Sequence, residues 1–133
     1  MTVRKADIYF SNDFKGVLEV ANGQVAIGGE QGTLAPYDLL FGALASCLYA
    51  TFLDVVRKKR IHFYSAHIEV TGEKQTTVPT VLTWVNTKIT IKGAEAKDQA
   101  AFTKSFDLAT QYCSIYQTIS KVAEMSWSVE FED

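Results

Sequence analysis

From Pro36 to Lys58 the chain reads as one helix that is apolar nearly all the way round. No helix on the outside of a small monomer tolerates that pattern, because every uncovered apolar side chain stays in water. The segment opens on Pro36, whose missing N–H suits a first helical turn, and Asp38 complements the positive end of the helix dipole. Arg57, Lys58, Lys59 and Arg60 complement the negative end. The almost uncharged middle, Leu39 to Val56, reaches barely a membrane-spanning length and carries Ser46, Thr51 and Asp54. It therefore reads as a buried helix and not as a membrane span. A single sheet covers one side of it, so a partner subunit must supply the rest, and a homodimer with interlocked helices is expected.

Around this helix the pattern is that of strands. Ala6, Ile8 and Phe10 alternate with Lys5, Asp7 and Tyr9. Phe14, Gly16, Leu18 and Val20 lead into Asn22 and Gly23 and then Val25 and Ile27, a hairpin whose Asn-Gly pair accepts the positive φ of a type I′ turn. Gly28 to Thr33 reads as a flexible connector. After the helix, Ala66, Ile68 and Val70 form one amphipathic strand and Val85, Thr87, Ile89 and Ile91 another, joined by the polar stretch Glu73 to Pro79 as an antiparallel hairpin. Ala94 to Gln111 carries Phe102, Phe106 and Ala109 at helical spacing. Ser114 and Gln117 fit a capping box that starts a third helix running to about Ala123. Trp127, Val129 and Phe131 close the chain as a strand. This order does not alternate as a parallel βαβ fold would, so the class is α+β, in a single domain over 1–133.

A chain of 133 residues buries roughly two-thirds of its unfolded surface without covalent staples. Its 47% hydrophobic and 21% charged residues are those of an ordinary globular domain. A net charge of −2 argues against a nucleic-acid partner. The first residues, Met1 to Asp7, lack the pattern of a secretory signal, which predicts a cytoplasmic location and a reducing environment.

In such an environment the two cysteines, Cys47 and Cys113, are either reactive or inert core residues. Cys113 directly precedes the Ser114 cap, where the positive end of the third helix favours a thiolate. Cys47 has Ala43, Leu44, Ala50 and Thr51 one turn away, so local sequence does not activate it, and if it is a nucleophile an activating cation must come from elsewhere in the fold or from the partner subunit. His62 and His67 read as surface histidines on opposite faces of one strand, which precludes a shared metal. Asp38 reads first as a helix-dipole residue and second as an acid. The chain has no CxxC, HExxH, phosphate-binding glycine loop or nucleophile elbow, and neither a metal nor a cofactor is expected.

Pro36, Asp38, Leu39 and Leu40 at the helix start, Cys47 eleven residues after the proline, and Tyr112-Cys113-Ser114 at a helix junction together resemble the OsmC/Ohr family, the osmotically inducible protein C and organic hydroperoxide resistance proteins. The resemblance spans nearly the whole chain. It implies an OsmC-like fold, with antiparallel curved sheets wrapped around two long central helices in an intertwined homodimer. It also implies that Cys47 is a peroxidatic thiolate, that Cys113 resolves it as a disulfide, and that a dithiol such as a lipoyl group is the reductant. Active members place a glutamate directly after the proline, where this chain has Tyr37, with an acid one position later at Asp38. They draw an arginine from the N-terminal region. Here no arginine lies between Arg4 and Arg57, and Lys15 is the nearest basic substitute. Ser114 stands where a proline is usual, a pattern closer to the OsmC-like branch.

On this resemblance the expected activity is a thiol peroxidase with Cys47, Cys113, Asp38 and Lys15 as catalytic residues. Phe41, Tyr37 and Tyr49 would line an apolar substrate site favouring organic hydroperoxides. The rival expectation is a non-catalytic dimer of the same fold that binds a small apolar ligand or senses oxidation. In the blandest alternative both cysteines are packing residues.

Overall fold

In the computed structural model, which describes residues 3–133, the apolar segment forms one 24-residue helix, α1 (Pro36–Lys59). The order around it is β1 (Asp7–Phe10), β2 (Lys15–Val20), β3 (Gly23–Gly28), α1, β4 (Ser65–Lys74), β5 (Leu82–Lys92), α2 (Gln99–Tyr112), α3 (Ser114–Ser120) and β6 (Glu124–Glu132), with one 3-10 turn, Ala96–Asp98, leading into α2. The chain packs as two compact units divided between Gly42 and Ala43.

The first unit is an antiparallel meander in the order β1-β2-β3. Phe10 pairs with Gly16 across it, and a Cβ at Gly16 would lie 2.5 Å from the Phe10 ring. The ring therefore closes over a position that has to be glycine. The expected hairpin forms with Val20 opposite Gly23, but the two turn residues are Ala21 and Asn22, and neither has positive φ. The side chains of a two-residue turn thus sit one position earlier than the Asn-Gly signal placed them. The connector expected to be flexible is folded back on itself. Thr33 N–H donates to Glu30 O at 3.2 Å and the Thr33 hydroxyl to the same oxygen at 2.7 Å, with Gly32 at φ 86° supplying the left-handed step.

The second unit holds a sheet in the order β4-β5-β6. β4 and β5 pair antiparallel from Ser65↔Lys92 to Lys74↔Leu82, as the hairpin pattern predicts. β5 and β6 pair in parallel from Trp84↔Glu124 to Lys92↔Glu132, which corrects the expectation of purely antiparallel sheets. The two strands are linked through α2 and α3, and a helical crossover returns the chain in the same direction. His67 lies on β4, but His62 lies before it, so the two do not share a strand.

The core of this unit is aromatic. Phe52 of α1 meets Phe63, Phe102 and Phe106 at centroid distances of 6.0, 6.3 and 5.9 Å, and Phe106 meets Trp127 of β6 edge to face at 5.6 Å. Val85, Ile89 and Ile91 of β5 complete it. On α1 one stripe is buried, Leu44, Leu48, Phe52 and Val56, recurring every fourth residue. The rest of this apolar helix is not. In its most apolar 18-residue window mean hydropathy is 1.9 and 22% is buried.

Candidate functional site

α2 and α3 are separated by a single extended residue, Cys113, at φ −68° and ψ 115°. Its N–H closes α2 on Ala109 O at 2.8 Å, and its carbonyl accepts from Gln117 N–H at 3.0 Å to open α3. Its sulfur accepts from Tyr116 N–H at 3.4 Å. Cys113 is thus the N-cap of α3, where the sequence pointed to Ser114. The Gln117 amide does not close a capping box either. It donates to Thr110 O at 2.9 Å and ties α3 to the last turn of α2.

Fixed in this way and fully buried, Cys113 presents its sulfur to the middle of α1. Cys113 Sγ donates to Cys47 Sγ at 3.0 Å. Both cysteines are free thiols. The two thiols differ in acidity. Burial pushes Cys47 up, but hydrogen bonds from Cys113, from the Ile115 and Ser114 backbone and from the Ser114 side chain outweigh it, and the thiol lies below its usual value. Burial pushes Cys113 up, and its bond to Cys47 adds to this, raising it to about 11. The local sequence reading favoured a thiolate on Cys113, whereas the shifts run toward Cys47, the cysteine to which the family resemblance gives that role. The start of α3 favours a thiolate on Cys47, across the junction, and not on the cysteine that precedes it. No cation of the same chain is among the largest influences on Cys47.

Nearby, Tyr116 is held above the usual phenol range by burial, then by Asp107 and Cys113. Ser114, Ile115 and Tyr116 were not among the residues picked out from the sequence as site residues. Ser114 was singled out only as a cap and as part of the junction motif, and Ile115 and Tyr116 carried no signal beyond following Cys113.

The remaining expected site residues have other partners. Lys15 of β2 forms an ion pair with Glu30 at 2.8 Å, both side chains more than half exposed. Asp38, read from sequence as a helix-dipole residue, lies in the first turn of α1 and accepts from Ala35 N–H, just before the helix, at 2.9 Å. Tyr37 and Phe41 meet edge to face at 5.9 Å. Tyr49 packs on Phe52 at 6.3 Å and lines a cavity of about 270 Å³ with Leu53, Arg57, His62 and Tyr64.

Comparison with known proteins agrees with this architecture. The chain is 27% identical over 116 residues to Protein YhfA of Escherichia coli (strain K12), covering 84% of this chain and 86% of that protein. Its fold superposes on an OsmC like protein from Mycoplasma pneumoniae with a TM-score of 0.82 at 19% identity, over 99% of this chain and 100% of the other. It superposes on an organic hydroperoxide resistance protein from Legionella pneumophila with a TM-score of 0.72 at 16% identity, over 98% and 99%. Residues 28–128, which hold both cysteines and the junction between α2 and α3, match the family described as OsmC-like protein, and the chain belongs to that family.

Proposed function

We propose that the chain is a cysteine-based peroxidase for organic hydroperoxides. The observation that carries this reading is the contact of 3.0 Å between a thiol of lowered pKa, Cys47, and one of raised pKa, Cys113. A peroxidatic cysteine has to be a thiolate, because the thiolate is the nucleophile. A resolving cysteine has to lie close and bring a proton.

In the proposed cycle Cys47 S⁻ attacks the terminal oxygen of ROOH and the O–O bond breaks. RO⁻ takes up a proton and leaves as ROH, and Cys47 becomes a sulfenic acid. The Cys113 sulfur then attacks the Cys47 sulfur, water leaves, and a Cys47–Cys113 disulfide forms. An external dithiol, such as a lipoyl group, reduces it to two thiols and is itself oxidised to a disulfide. Similarity to organic hydroperoxide resistance proteins supports this redox role. The reading rests on the sulfur pair; Asp38 and Lys15 have partners of their own, and Tyr37, Phe41 and Tyr49 remain proposed apolar contacts for the R group. The incompletely buried α1 supports a homodimer, the usual state in this family.

One observation favours a slower, oxidation-sensing use of the same pair. Lys15, the expected stand-in for the family arginine, is engaged by Glu30. The test that separates the two treats the reduced protein with equimolar cumene hydroperoxide or hydrogen peroxide and follows its mass, then adds dihydrolipoamide and follows turnover. Rapid loss of two hydrogens, faster with the organic peroxide and absent in Cys47→Ser and Cys113→Ser, followed by repeated cycles, is expected of the peroxidase. One oxidation without cycling would leave the sensor, and an unchanged mass would sink both.

A further inference from the structure

The single extended residue between α2 and α3 makes Cys113 the corner of two rods. Where its sulfur sits therefore depends on the angle between them. Tyr116 and Ile119 bury one side of α3, but apolar burial has no direction, and a helix of seven residues has little rigidity of its own. Directional bonds have to set the angle. The last carbonyls of α2 have no acceptor role within the helix. Ala109 O is taken by Cys113 N–H at 2.8 Å, and the extended backbone of Cys113 then interrupts the ladder at the next carbonyl, on buried Thr110. That carbonyl accepts from Gln117 Nε2 at 2.9 Å, while Gln117 N–H donates to Cys113 O at 3.0 Å. One half-buried residue of α3 thus bonds to the corner itself and to the helix before it.

We propose that Gln117 is the positioning residue of the Cys113 thiol: its amide bridge from α3 to Thr110 O fixes the corner at which Cys113 Sγ meets Cys47 Sγ at 3.0 Å, and so governs how fast the two sulfurs join. This rests on the reading of Cys113 as the resolving cysteine. Such a thiol attacks a sulfur already bonded to a leaving group, in line with the bond that breaks, and a misplacement of about 1 Å slows a reaction of this kind roughly 100-fold. Cys47 is carried by α1 and lies outside the bridge, so its own first reaction with an oxidant does not depend on it. The amide is uncharged, so removing it changes geometry and leaves the charge of the site as it was.

The test treats reduced full-length protein with one equivalent of the aromatic disulfide dithiobis(nitrobenzoate). Cys47 S⁻ attacks one of its sulfurs, the S–S bond breaks, and one thionitrobenzoate anion leaves. Cys113, once deprotonated, attacks the Cys47 sulfur of the mixed disulfide, a second thionitrobenzoate leaves, and the Cys47–Cys113 disulfide forms. The two absorbance phases are followed from neutral to alkaline pH in wild type, Gln117→Met and Gln117→Leu, with Cys113→Ser as the one-phase reference and circular dichroism as the check of fold. Both Gln117 variants should keep the first phase and slow the second roughly tenfold or more, by the same factor at every pH. Two side chains of different shape keep the test open if one variant folds poorly. An unchanged second phase in a folded variant, equal slowing of both phases, or a second phase that only moves along the pH axis overturns the proposal, as does a wild type that releases a single equivalent. Cumene hydroperoxide consumption by wild type is measured separately. If it is absent while the second phase depends on Gln117, the peroxidase reading falls and the role of Gln117 stands.

Discussion

A sulfur in the middle of an apolar helix has no chemistry of its own until something donates to it, and here the donors lie 66 residues further along the chain. That explains which part of the site was legible in sequence. The identities of Cys47 and Cys113 were readable, and so was the helix start beside Cys113. The direction of activation was not legible from the local residues, which favoured Cys113, and came only with the family resemblance, because it depends on how two thiols far apart in sequence meet in the fold. With Cys113 raised to about 11, that residue keeps its proton throughout the neutral range while Cys47 ionises below the ordinary thiol range. A second residue, Thr87, shows the cost of an unmatched group. The alternation of β5 places it on the core face between Val85 and Ile89, and there its hydroxyl is buried without a partner. A buried donor left unpaired forfeits its bonds to water, so Thr87→Val should stabilise the fold by about 1 kcal/mol. Urea unfolding reads this as a higher midpoint at unchanged slope. A lower midpoint would mean that the hydroxyl finds an acceptor after all.

Elements were legible where their signal is periodic and local. α1 was expected over Pro36–Lys58 and ends at Lys59, β4 and β5 pair as the alternation implied, and β6 follows Trp127, Val129 and Phe131. The direction of β6 against β5 was missed because alternation is the same for parallel and antiparallel strands. The end of α1 shows how a terminus is set by geometry beyond the charge pattern. Arg60 N–H donates to Arg57 O at 3.1 Å and Ile61 N–H to Val56 O at 3.3 Å, with Arg60 at φ 59°, which is a Schellman ending. That left-handed position is ordinarily glycine, and a side chain there costs about 1 kcal/mol. Arg60→Gly should therefore raise stability by about that amount, despite removing a cation that complements the helix dipole, since an exposed dipole contact contributes less. Thermal unfolding would show it as a higher midpoint, whereas a lower one would give the charge the larger share.

At the scale of the whole molecule the helix that dominates the sequence is also the one the single chain leaves unfinished. Leu44, Leu48, Phe52 and Val56 are buried, while Ala50 on the opposite face is exposed in a segment of high hydropathy. By length and composition alone α1 would also suit a bilayer. The two possible covers make different demands. A second copy brings the same face twice about a two-fold axis, as isologous interfaces require, and leaves the protein in solution without detergent. A bilayer would require detergent or lipid. The proposed dimer therefore predicts twice the mass of one chain by light scattering in plain buffer. Ala50→Arg would set like charges against each other across the axis, and an unpaired charge buried at an interface costs several kcal/mol, enough to shift a dimer toward monomer or aggregate. The same variant should leave the Cys47–Cys113 contact intact, because both sulfurs come from one chain. Its oxidation by equimolar peroxide would then proceed even as the mass halves. A monomeric wild type, or a protein recovered only with detergent, would overturn the dimer as the cover of α1.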